Sequence, residues 1–184
     1  FERSAAECVG RRQAVQITRA MREFGGEELK DVELVGTSPQ ICVRETRRLK
    51  GLYILTEEDA ANGRTFEDTV AWRSGYLDLM GYKYTKMRIH DVPYRALLPV
   101  EVDGLLTAGR SISATHVGMA AGKSMGNCVA TGHAAGLAAA ISAKQGIMPR
   151  EVKVSQIQDA LRKDGVDLTM GGKVQENVSS DRRA

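Results

Sequence analysis

Aromatic side chains are scarce in this 184-residue chain: three Phe, one Trp and five Tyr. Basic residues cluster at Arg44, Arg47, Arg48 and Lys50, but no aromatics are interleaved there to stack bases. The net charge is only +3, which gives little phosphate attraction, so no nucleic-acid partner is expected. Long apolar runs are missing too. The longest, around Ala134 to Ile141, is far short of a bilayer span, so no membrane role is expected. No segment has the charged, apolar and small-residue order of a signal peptide, and the reading is a cytoplasmic protein. The three cysteines, Cys8, Cys42 and Cys128, are far apart and odd in number. They form no metal-ligand or redox pair by spacing, so all three are read as reduced and no metal is expected. Despite 19 glycines there is no Gly-x-Gly-x-x-Gly dinucleotide loop. The chain begins at Phe1 inside a helical pattern, and it reads as a piece of a longer protein or a processed subunit.

What is present is helical periodicity punctuated by glycine. From Glu2 to Phe24, Ala5, Cys8, Val9, Ala14, Ile17 and Met21 recur at helical spacing, and Gly25-Gly26 stops the run. Val32 and Leu34 alternate with acidic residues, and Gly36 to Pro39 reads as a turn. Ile41 and Val43 then predict an antiparallel partner strand. Thr56 followed by Glu57-Glu58-Asp59 predicts a capped helix start, ended by Gly63. Trp72 to Tyr84 reads as an insertion without well-defined elements. Pro93 to Pro99 is expected to be extended, and Gly104 to Gly109 to be a buried parallel strand. A glycine- and serine-rich loop follows from Arg110 to Gly126, with room for one helical turn. Asn127 to Lys144 is the clearest helix, with a small-residue stripe of Gly132, Ala135, Gly136 and Ala139. A last helix spans Gln156 to Lys163 and ends at Gly165; the tail from Thr169 is expected to be disordered.

The unit from Leu105 to Ala143 carries most of the chemical information. A helix that starts at the C-terminal end of a strand turns free N–H groups into the ligand crevice of an α/β sheet. Such donors suit a phosphate, a carboxylate or an electron-accepting ring. An ordinary βα unit with glycines for packing has the same outline. Gly118 to Ser124 approaches a phosphate-binding P-loop, but only three residues separate Gly118 from Gly122 where that loop requires four. The apolar run also ends well before it, so an NTPase is rejected.

Four blocks bring the chain close to a known family. Cys42 to Gly51 with Tyr53, Leu55-Thr56 and Glu58-Asp59 is the first, and Asp91 to Arg95 with Leu98-Pro99 is the second. Leu105 to His116 and Met125 to Gly136 complete them. Together they resemble FAD-dependent oxidoreductases of the group related to fumarate reductase flavoproteins. The sequence departs from that pattern at Gly126-Asn127, where the family pattern carries proline and threonine, and at Gly122-Lys123-Ser124. The resemblance implies an α/β (mixed α+β) architecture. It would be the C-terminal part of a Rossmann-like FAD-binding domain plus part of a β-rich substrate domain. Residues 1–92 would belong to the substrate domain, and 93–146 would hold the FAD domain's final strand, loop and helix. Residues 147–168 would form a C-terminal helix, and 169–184 a tail. FAD is the implied cofactor, and a companion chain carrying the N-terminal FAD-binding segment is the implied partner. A small organic substrate would pass a hydride to the flavin. The alternative is a non-catalytic binding or assembly subunit that keeps the fold.

The same resemblance implies that Gly109 and Arg110 line the ribityl and pyrophosphate region. It places Gly126, Asn127 and Cys128 at the flavin's pyrimidine edge. His116 is suited to proton transfer near neutral pH, or is a loop histidine satisfied by backbone. His90 and His133 read as structural. Arg44 and Arg47 fall on opposite faces of an extended segment, so one of them could clamp an anionic substrate while the other is solvated or paired with Glu45. Arg95 is balanced between the same two roles. Cys128 also reads as a small packing residue.

Overall fold

The computed structural model describes residues 2–74 and 88–169. The chain divides into two units, Phe1–Arg44 and Glu45–Ala184.

The first unit is built on α1 (Glu2–Phe24), which ends as the glycine pair predicts. A side chain at Gly25 would strike the Met21 carbonyl, and Gly26 sits at φ +78°, where only glycine is unstrained. The expected hairpin of Val32/Leu34 with Ile41/Val43 does not form. The backbone groups that would have paired are taken by side chains of α1. Arg22 Nε donates to the Val32 carbonyl (2.7 Å), and the Ile41 N–H donates to Glu7 Oε1 (2.8 Å). Leu34 and Val43 are exposed, so alternation here has no buried face to fix a register.

The second unit contains α2 (Glu57–Asn62), β1 (Thr69–Arg73), β2 (His90–Pro93), α3 (His116–Ala120), α4 (Met125–Gln145) and α5 (Val154–Lys163). The start of α2 is a capping box. Thr56 Oγ1 accepts from the Asp59 N–H, the Asp59 carboxylate accepts from the Thr56 N–H, and Gly63 closes the helix at φ +65°. Strands β1 and β2 pair antiparallel from Thr69↔Pro93 to Arg73↔His90, with an irregularity between Thr69 and Ala71. Helix α4 packs on β1, and α5 packs on both. The core of this unit joins Leu55, Val70, Val92, Leu97, Ile112, Met119 and Ile157. The Tyr94 hydroxyl crosses to the Pro149 carbonyl at 2.8 Å.

The mixed α and β composition is therefore observed, and the described strands are antiparallel. Two expectations need correction. The extended run from Pro93 to Pro99 turns after Pro93 into a 3-10 turn, Tyr94–Ala96. Gly104 to Gly109 forms no strand: Thr107 N–H reaches the Leu97 carbonyl (3.0 Å), but Leu105 is 45% exposed. Leu97 caps that 3-10 turn, so its backbone cannot continue a ladder. Helix α4 also faces differently from the expected stripe. It buries Asn127, Thr131, Ala134, Ala138 and Ser142, while Gly132, Gly136 and Ala139 lie outward. Helix α5 ends at Lys163, and Gly165 at φ +84° follows as read. Most of the Trp72–Tyr84 insertion, from residue 75 on, and the tail beyond Thr169 lie outside the described residues.

Candidate functional site

The loop between Gly109 and Ser124 and the first turn of α4 form one stitched structure. Gly109 opens a 3-10 turn (Gly109–Ser111) at φ +65°. Its N–H donates to Thr131 Oγ1 (2.9 Å), and that hydroxyl also reaches the Asn127 carbonyl (2.9 Å). A Cβ on Gly109 would lie 3.7 Å from Cys128 Sγ, so the turn rests against the first turn of α4. Arg110 Nε donates to the Lys123 carbonyl (3.1 Å), the residue just before the Ser124 N-cap. Gly109 and Arg110, read for the ribityl and pyrophosphate region, thus lie against the helix start that carries Cys128, read for the pyrimidine edge. Gly126 lies beside them on α4, exposed, with open space where a side chain would stand. The N–H groups of Met125 and Gly126 have no carbonyl one turn earlier to bond, because the helix begins there.

Asn127 is tied at both its backbone and its side chain. Its N–H takes the Ser124 cap (3.4 Å), and Nδ2 donates to the Ser74 carbonyl (3.1 Å), tying α4 to the end of β1. Its side chain faces the protein.

Beneath this turn lies a cation that the sequence did not single out. Arg73, the last residue of β1, is 1% exposed. Nη2 donates to the Gly122 carbonyl and, more weakly, to the Met119 carbonyl (3.4 Å). Nη1 is buried and has no hydrogen-bond partner among the described residues. Burial lowers Arg73 to about 10, with an opposing contribution from Cys128, which leaves it cationic at neutral pH.

On the other side of the loop, His116 opens α3, capped by Thr115. Its Nδ1 lies 2.8 Å from Glu45 Oε1, and its ring is 59% exposed. Glu45 is only 8% exposed and also pairs with Arg48 Nη1 and, at 2.6 Å, with Lys123 Nζ. The Lys123 approach is close but poorly aligned, so Oε2 is held by charge rather than by a directed hydrogen bond. Burial alone would raise the Glu45 pKa, but Lys123 and His116 together outweigh it and hold the carboxylate below its usual range.

Of the two arginines read as catalytic candidates, Arg95 is engaged within the second unit. Arg95 is bidentate to Asp68 (Nε–Oδ2 2.8 Å, Nη2–Oδ1 3.0 Å) and lies over Tyr53, 5.4 Å from the ring centroid. Arg44 is exposed and closes the first unit. His90 is buried beside β1, and His133 pairs with Asp164 (2.9 Å), both as structural readings expect. Among the described residues no group of three or more His, Cys, Asp or Glu side chains could hold a metal. Among them, too, no helix is long and apolar enough to cross a membrane.

Free helix N–H groups, an open glycine and a buried guanidinium define an end that suits an electron-rich planar or anionic group. Residues 1–161 match the FAD-dependent oxidoreductase family, and the chain belongs to it. No curated protein and no solved structure matches the chain. FAD is the cofactor of that family, and the donor set fits it. Among the described residues nothing lies within 4 Å of a side chain built on Gly126, and the positive end of a 21-residue helix lies beside it.

Proposed function

We propose that the second unit receives the isoalloxazine end of FAD at the first turn of α4 and works in hydride transfer from a small organic substrate. The observation that carries this reading is the meeting of Gly109, Arg110 and Cys128 with the open turn at Gly126, above Arg73. Met125 and Gly126 N–H groups would face the pyrimidine edge, and Arg110 the phosphate side. FAD, when bound, supplies the two-electron acceptor.

The chain's own residues place the substrate and handle its proton. His116 Nε2, on an exposed ring, would take the proton that an alcohol or amine gives up as its carbon loses hydride. Arg48 and Lys123 are tied to Glu45, and they keep the loop in place. In the proposed organisation residues 93–146 belong to a Rossmann-like FAD domain and 1–92 to a substrate domain. A companion segment would hold the dinucleotide end, in a cytoplasmic protein. Arg44 and Arg95 stay as candidate substrate clamps, and Arg95 would have to leave Asp68 to serve.

Arg110→Ala in the FAD-loaded assembly tests the placement. A charge-assisted contact is worth roughly 1.5–3 kcal/mol, so FAD should be held about ten-fold or more weakly. Unchanged cofactor occupancy after gel filtration would contradict it.

A further inference from the structure

His116 and Glu45 are 71 residues apart, yet a helix start and an extended segment bring them to 2.8 Å. The geometry points to Glu45 as the positioning residue of His116: a buried carboxylate that fixes the ring with its proton on Nδ1 and leaves the Nε2 lone pair outward. This rests on the proposed proton-accepting role of His116 and adds what orients that residue.

The chemistry of the contact assigns the proton. An ionised carboxylate can only accept, so a ring nitrogen 2.8 Å from it must be the donor. Glu45 is kept ionised by two further cations. Arg48 Nη1 shares Oε1 with His116, and Lys123 Nζ sits 2.6 Å from Oε2. Both cations are anchored in turn. Arg48 Nε donates to the Ala114 carbonyl (3.0 Å), and Lys123 is itself almost covered. The carboxylate therefore does not swing with the imidazole; the imidazole is held by the carboxylate.

The consequences separate this from a plain surface ion pair. Two permanent cations already balance Glu45, so its contact with His116 does not require a charged ring. A neutral imidazole donating from Nδ1 satisfies it. That form has a free Nε2, the atom on the exposed side of a ring that is 59% open. A carboxylate behind a histidine sets tautomer and direction in this way, which makes the far nitrogen a proton acceptor. The Thr115 cap, whose hydroxyl accepts from the Gly118 N–H, fixes the backbone from which the ring projects. Loss of Glu45 would leave the ring free to rotate and to take the Nε2–H form that free imidazole favours, which would block the acceptor.

The test is the tautomer itself, read by ¹⁵N side-chain NMR of the full chain at a pH where His116 is neutral, with the signal assigned by His116→Gln. The wild type should show Nδ1 protonated and Nε2 bare. In Glu45→Ala the ring should shift toward the Nε2–H form, with unchanged far-UV circular dichroism. Should Glu45→Ala not fold, the similarly sized Glu45→Met, which removes both carboxylate acceptors, must lower the Nδ1–H fraction. A wild-type ring protonated on Nε2, or a tautomer unmoved in the variant that folds, would overturn the assignment. The readout needs neither flavin nor substrate. A failure of FAD placement would leave it intact, and its own failure would leave FAD placement standing.

Discussion

The guanidinium of Arg73 occupies the space that a side chain at Gly122 would need: a Cβ built there lies 2.0 Å from Nε and 2.3 Å from Cζ. The glycine is thus required by a buried cation rather than by a phosphate. Gly118 is required in the same way, since its Cβ would stand 2.5 Å from the Leu55 carbonyl oxygen.

Gly122→Ala should therefore destabilise the fold, by roughly 1–3 kcal/mol if the loop shifts to make room. Urea unfolding measures it. The cost should shrink in an Arg73→Ala background, because the two residues share the space and their effects cannot add. An unchanged midpoint in the single variant would mean that Arg73 does not lie against this turn.

The buried His90 makes stability depend on pH. Burial pushes its pKa down to about 4, and the Arg73 charge adds to this against the hydrogen bond with the Arg88 carbonyl. In the unfolded chain the ring takes a proton near pH ~6.5. Between pH 6.5 and about 4 the unfolded state binds more protons, so the contribution falls as pH falls through that window. It is complete above 6.5 and lost below 4. The total is roughly 3 kcal/mol, at about 1.4 kcal/mol per unit. His90→Gln should flatten the dependence between pH 7.5 and 4.5 in urea unfolding. A wild-type and variant difference that stays constant across that range would contradict the assignment.

Local signals carried the helices well. The Thr56 hydroxyl three residues before Asp59 and the stop at Gly63 became a capping box and a left-handed cap, because both interactions are closed within one turn. The glycines after Phe24 worked for the same reason. The two strand expectations failed because pairing is not local. Val32 and Ile41 had the right alternation, but Arg22 and Glu7 on α1 reached their backbone groups first. Leu105 and Leu106 had the right hydrophobicity, but Thr107 N–H took the carbonyl of Leu97, the cap of a 3-10 turn, rather than that of a strand.

The candidate site was legible to a similar depth. The family blocks pointed to Gly109 and Arg110 in one place and to Gly126, Asn127 and Cys128 in another; the contact of the Gly109 turn with Cys128 became visible in the fold. The tie of Asn127 to Ser74 was not readable, being a contact over 53 residues. Arg73 and Glu45 were hidden for the same reason. Burial of the one, and the approach of Lys123 and His116 to the other, exist only once distant segments have met.

The placement of the flavin ring at the first turn of α4 is the central claim, and Gly126 gives the most direct access to it. Gly126→Asp adds a negative charge where no described residue stands within 4 Å of the new Cβ, so the fold should accept it. Charge effects at a helix start are worth roughly 0.3–2 kcal/mol, and about 1.4 kcal/mol corresponds to about 30 mV for a two-electron couple. The measurement is a spectroscopic redox titration of the wild type and Gly126→Asp, both fully loaded with FAD. A midpoint potential lowered by some tens of millivolts is the expected result, because reduction brings negative charge to the ring edge beside the new carboxylate. An unchanged or raised potential would mean that this turn does not face the flavin.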